Sequence, residues 1–247
     1  MASSGLMKAI YVALLLLYID AAISLALVSS MVAFLHGRGG QPFRVRDVQH
    51  DGSIFNLHGE PAHLLTDHGH TTNGAGGTGV VLVGFGGLLA LWLEHRSRAK
   101  YGKSSPFYYL WALITILSWL LTLTALIYTF VLTNMHSDQS IDIGLASRTT
   151  PSPYPRDSWT PENWYTEVNK LHFADSADHD ILNRKLRSIR GWRYNLIPFM
   201  ILGFVLMLLV ILELLSFRRS RGRKADQPFG QPYGAAVSKH ESAHPVA

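Results

Sequence analysis

Four runs of this chain are too apolar and too long to lie in water, and they restrict its fold more than any other feature. Residues 9–35 contain one charge, Asp20; residues 79–94 are charged only at their last position, Glu94; residues 107–133 have none; residues 196–217 have only Glu213. A bilayer core of about 30 Å is crossed by roughly 20 helical residues. Three runs reach that length alone, and the second reaches it with its glycine-rich lead-in from Gly74. The first run is longer than the apolar core of a signal peptide, about 7–15 residues, and reads as a retained helix. The expected fold is an all-α membrane protein, a four-transmembrane-helix bundle with a partly helical outer loop.

The polar segments between the runs suggest an orientation. The N-terminal segment 1–8 is net +1, the short loop 95–106 is +4 and the tail 218–247 is +4, whereas the loop 36–78 is −1 and the loop 134–195 is balanced. Short basic segments are retained in the cytoplasm. Both termini and the loop 95–106 are therefore expected inside, in an integral, plasma-membrane protein. Arg184, Lys185, Arg187, Arg190 and Arg193 crowd the outer end of the fourth run and run against that assignment. The chain has no cysteine, which removes disulfides, thiolate metal sites and Cys nucleophiles together. It also has no Asn-x-Ser/Thr acceptor for an N-glycan.

Asp20 lies near the middle of the first run, where an ionisable group costs about 2.5–3.5 kcal/mol to insert. It is expected to face other helices as a hydrogen-bonded packing residue, with Ser24 one turn on as a local partner, or to serve as a proton or cation site. Ala22, Ala26 and Ser30 form a small-residue stripe suited to close helix approach. The loop 36–78 holds six of the twelve histidines. It reads as a solvated, flexible loop. Asp67, His68 and His70 are its candidate imidazole–carboxylate set for Zn²⁺ or Cu²⁺, and a pH-responsive loop is the related reading.

Gly84, Gly86 and Gly87 in the second run allow tight backbone contact; the segment leads into apolar sequence rather than into a phosphate loop. In the third run, Thr115, Ser118, Thr122, Ala125, Thr129 and Thr133 make one small, hydroxyl-bearing face for bundle packing, with hydrogen bonds across helices expected. In the loop 134–195, four prolines hold extended chain, and Thr160 then caps a helix with Pro161 at its first position. Trp164, Val168 and Leu171 fall on one face of it. A second helix starts at Asp178 or Asp180 and feeds through Trp192 into the fourth run. Trp159, Trp164, Tyr165, Val168, Leu171 and Trp192 are the candidate partner-binding residues; the alternative is that they pack the loop down onto the helix ends. After Phe217, Arg218, Arg219, Arg221, Arg223 and Lys224 form a cluster for anionic lipid on the cytoplasmic side, and the rest of the tail reads as disordered.

The stretches Ser158-Trp159-Thr160-Pro161-Glu162-Asn163-Trp164-Tyr165 and Arg190-Gly191-Trp192-Arg193-Tyr194-Asn195-Leu196-Ile197-Pro198 resemble tetraspan membrane proteins of filamentous fungi. In topology the chain resembles the claudin, MARVEL and Sur7 kinds of plasma-membrane tetraspan. The resemblance implies no catalytic chemistry. The sequence has no Gly-x-Ser-x-Gly, no His-Glu-x-x-His and no nucleotide loop. The expected function is a non-enzymatic scaffold or accessory subunit, without cofactor or nucleic acid. It would bind a membrane-protein partner or a second copy through residues 159–193. A small transporter using Asp20, or a metal or pH sensor using the histidine loop, are the other readings.

Overall fold

The computed structural model describes residues 4–225, with side chains from 5 to 219. Four helical stretches, Gly5–Gly39, Asp67–Tyr101, Pro106–Met135 and Ser176–Arg219, are long and apolar enough to cross a bilayer. They are built from α1 (Ser4–Phe34) ending in a π-turn (Leu35–Gly39), α2 (Asp67–Thr78) and α3 (Gly86–Tyr101) joined by a π-helical segment (Gly79–Phe85), α4 (Pro106–Met135) and α7 (Ser176–Ala225). The α2–α3 rod runs antiparallel to α1, since Gly69 faces Met31, Gly76 faces Leu25 and Gly87 faces Leu14. α1 and α4 each pack on both α7 and the α2–α3 rod, so the four form a ring with α1 and α4 on opposite corners.

Glycine sets the closeness of one corner. A side chain at Gly84 would strike the Tyr18 ring, and one at Gly87 would come within 2.9 Å of Trp111. On the π-helical segment next to them, the Val83 carbonyl accepts from Trp111 Nε1 at 3.1 Å, which ties α4 to this rod. Along α4 the expected face is the packed one: Thr115, Ser118, Thr122, Ala125, Thr129 and Thr133 are all buried. Their hydroxyls do not cross to neighbours as expected. Thr115 donates to the Trp111 carbonyl and Thr122 to that of Ser118, because a Thr hydroxyl reaches its own preceding turn more easily than another helix. The stripe expected on α1 is displaced. Ala21, Ser24 and Val28 face the interior, whereas Ala26 is exposed.

At one end of the bundle a charged cluster ties three helices. Glu94 and Glu213 are fully buried. Arg98 reaches Glu94 through Nε at 2.6 Å and Glu213 through Nη1 at 2.6 Å, while the Ser105 amide donates to Glu94 Oε2 at 2.6 Å. The guanidinium also lies 4.1 Å from the Phe217 ring centroid. Ser105 itself caps α4, accepting from the Phe107 amide with Pro106 at the first helical position.

At the other end the two long loops fold together as a head, which is not all-α. β1 (Phe43–Arg46) and β2 (Ile54–Leu57) come from the first loop and β3 (His172–Phe173) from the second; they form one antiparallel sheet in the order β2-β1-β3. Phe43 and Val45 point inward while Arg44 and Arg46 point out, the period-two alternation of a half-buried strand. The hairpin turn is held by Asp47, whose Oδ1 accepts from the Gln49 and His50 amides at 3.1 Å, and by Gly52 at φ 74°. Two short helices complete the head, α5 (Ile143–Thr149) and α6 (Pro161–Val168). Asp142 caps α5 through the Leu145 amide, and Thr160 caps α6 through the Asn163 amide.

Several expected boundaries move. The second membrane-length helix begins at Asp67 rather than at 79, so the loop 36–78 is an ordered hairpin plus a helical start and not a flexible coil. α7 is unbroken from Ser176 through Pro198 to Ala225, so residues 218–225 are helical rather than disordered tail. The remaining tail lies outside the described residues.

Candidate interaction site at the head of the bundle

The expected recognition aromatics are the head's core. Trp159, Trp164, Tyr165 and Val168 are fully buried and Trp192 is 1% exposed; Leu171 is partly buried against them. This corrects the reading of these side chains as an exposed partner surface. The physical reason is the first loop. Trp159 pairs its backbone with the first loop, its amide donating to the His63 carbonyl and its carbonyl accepting from the Leu65 amide. Trp164 Nε1 donates to the Gly59 carbonyl at 2.7 Å. Tyr154, Trp159 and Trp164 pack edge-to-face or tilted, with centroids 5.3–6.3 Å apart, in the range aromatic pairs prefer. α1 and α7 close the same core with Val28, Met31, Leu182 and Ile189, so the head and the bundle share packing.

Ion pairs fasten the head to α7. Arg38 donates from Nε to Asp178 Oδ1 at 3.1 Å, joining the end of α1 to the start of α7. Glu162, nearly buried on α6, sits 3.2 Å from Arg193 Nη2 and 3.7 Å from Arg190 Nε. Burial raises the Glu162 carboxyl above its ordinary value, and the two arginines pull it only partly back. On the hairpin, burial pushes the Asp47 carboxyl up, but hydrogen bonds from the His50 ring and from the Gln49 and His50 amides outweigh it, leaving it below the ordinary value. Lys185 donates to Ser30 Oγ at 3.0 Å. Three of the five basic residues at this end of α7 are thus engaged with the protein itself.

The other two line the opening that remains. Between α6 and α7 lies a groove of about 620 Å³. Lys170 comes from the turn after α6, and Arg184, Arg187 and Arg190 from one face of α7; Asp180 is the acidic group along it. Lys170 pairs with Glu167. Arg184 and Arg187 are exposed and have no carboxylate partner among the described residues.

The remaining sequence candidates are not brought together. Asp20 is half-buried in α1; its Oδ2 and the Ser24 hydroxyl each lack a hydrogen-bond partner among the described residues, so the expected Asp20–Ser24 bond is not made. Asn195 reaches the Asp20 main-chain carbonyl at 3.4 Å. Asp67, His68 and His70 form the first turn of α2, with Asp67 and His70 exposed and His68 turned inward. His68 is buried with its ring 5.4 Å from that of Trp192, and among the described residues no group of three His, Cys, Asp or Glu is placed to hold a metal. The three are not brought together as a metal set, because the packing of α2 buries His68 while Asp67 and His70 stay outside. Arg218 lies 5.9 Å from the Tyr109 ring centroid. Arg219 is exposed on α7, and the side chains of Arg221, Arg223 and Lys224 lie outside the described residues.

The Glu94–Arg98–Glu213 cluster was not anticipated, although two signals for it are in the sequence. Glu94 and Arg98 are spaced i,i+4, and Glu213 is the lone charge in its apolar run, which demands a partner. Compared with protein-family models, curated proteins and solved structures, the chain gives no match.

Proposed function

We propose that this protein is a non-enzymatic integral membrane scaffold or accessory subunit of a larger plasma-membrane assembly, with the head as its recognition module. The observation that carries the reading is the continuity of head and bundle. α7 runs as one 50-residue helix through both, and the aromatic core of the head is packed on α1 and α7. Such a head is a rigid platform, and rigid platforms bind without a large ordering cost. The residues that meet a partner are then the exposed polar ones of the same 159–193 segment, Lys170, Asp180, Arg184 and Arg187, not the aromatics beneath them.

Both termini and the α3–α4 turn lie in the cytoplasm on this reading, as the basic segments require. Arg218 and Arg219 face anionic lipid there. Transport through Asp20 is less well supported. The cavity between the helices beside Thr115, Ser118, Trp119 and Thr122 is about 10 Å³, room for about one water, and Asp20 does not line it. Purification in mild detergent followed by mass spectrometry tests the scaffold reading. A stoichiometric partner or a homo-oligomer is the expected result; a lone monomer contradicts it.

A further inference from the structure

We infer that the α6–α7 groove is a binding site for a phosphate or sulfate ester of a polyhydroxy compound, held by Arg184 and Arg187. The arginines stand three residues apart on one helix, about 5–6 Å between their Cβ atoms, and both line the groove. A guanidinium presents a planar fork of donors that matches a tetrahedral oxyanion, and two adjacent forks grip one such group from two sides. Every other basic residue at this end of α7 has a partner within the protein: Lys185 holds Ser30, and Arg190 and Arg193 hold Glu162. Arg184 and Arg187 have none among the described residues, and they contribute nothing visible to the fold.

The rest of the lining narrows the ligand. Lys170 and Arg190 also line the groove but are each paired with a glutamate, so it is the unpaired Arg184 and Arg187 that favour an anion over a neutral molecule. Asp180 on the same groove repels a bare polyanion but accepts a hydroxyl, whereas the Asn183 side-chain oxygen is already taken by the Asn169 amide at 2.9 Å. Leu186 is the sole aliphatic residue lining the groove, so an acyl chain finds little seat in it. A volume of about 620 Å³ is in the range of small-molecule sites, about 300–1,000 Å³. The ligand is therefore a hydrophilic ester whose phosphate or sulfate enters first. It is either a soluble polyol ester or the polyol headgroup of a lipid whose chains stay outside.

The groove belongs to the face that the scaffold reading offers to partners, and the proposal deepens that reading. Its test uses only the purified chain and defined anions, so it can fail while co-purification succeeds, and the reverse. The full chain is placed in nanodiscs of phosphatidylcholine and titrated with inositol monophosphate by calorimetry. A second preparation with phosphatidylinositol in the discs is assayed for retained lipid by native mass spectrometry. Saturable binding in the first arm assigns a soluble ester, and retention only in the second assigns a headgroup. In either case Arg184→Gln with Arg187→Gln should weaken binding at least about tenfold, since charge-assisted contacts to the anion are lost. Arg44→Gln with Arg46→Gln, which lowers the charge by the same amount on the sheet, should leave it unchanged. Both pairs are exposed, and circular dichroism on each variant establishes that it is folded. Should the glutamine pair not fold, Arg184→Lys with Arg187→Lys keeps the charge and still loses affinity, because the fork is gone. No binding in either arm overturns the proposal, as does equal loss in the sheet control or undiminished binding by the groove variants.

Discussion

Trp159 and Tyr165 are both fully buried, yet they are expected to respond differently to substitution. Trp159→Ala removes a large ring that also joins the two loops, and a loss of about 3–5 kcal/mol is expected. The Tyr165 hydroxyl is buried without a hydrogen-bond partner among the described residues, so Tyr165→Phe removes an unsatisfied polar group and is expected to be neutral or stabilising. Thermal unfolding midpoints of the two variants in detergent distinguish these outcomes. Glu162 adds a pH dependence of definite sign. Its carboxyl is raised above the ordinary value of 4.5, so what it contributes to stability is fully present below that pH and is lost as pH rises through the folded value. Glu162→Gln is therefore expected to flatten the decline of the unfolding midpoint above pH 4.5, and an unchanged slope would contradict the assignment. At this scale the sequence revealed which residues were notable but not where they point. The Trp residues at 159, 164 and 192 stood out, but whether they face a partner or a core depends on Gly59, His63 and Leu65, about a hundred positions away.

Among the elements, the helix ends opposite the head depend on one cation. Arg98→Ala leaves Glu94 and Glu213 buried without their counter-ion, and a destabilisation of about 3–5 kcal/mol is expected. Glu94→Gln, Arg98→Met and Glu213→Gln together should recover most of it, because no uncompensated charge then remains buried; no recovery in the unfolding midpoint would show that the cluster does more than neutralise itself. The face of α4 was fully legible because a long helix repeats its packed side six times over, from Thr115 to Thr133. The sheet was not. β1 and β2 are four residues each and β3 is two, too short for an alternation to stand out, and β3 joins from a distant loop only in the folded chain. The stripe of Ala22, Ala26 and Ser30 misled for a related reason. Small size permits close approach, but which side of α1 turns inward is fixed by its neighbours, and these select Ala21, Ser24 and Val28.

For the whole molecule, two statements remain to be measured, the side on which the head lies and what it holds. The absence of cysteine makes the first direct. In intact cells a membrane-impermeant maleimide should label Asp138→Cys from outside, and should label Lys100→Cys only after permeabilisation; the opposite pattern reverses the orientation. The second is the central claim, that the protein engages partners through the exposed face of its head. A photoreactive residue placed at Arg187, on the groove, and in a separate chain at Ile201, which is 50% exposed on the apolar side of α7, tests it in native membranes. The account predicts a discrete protein adduct from position 187 and none from position 201. Adducts only from 201, or from neither, would contradict it.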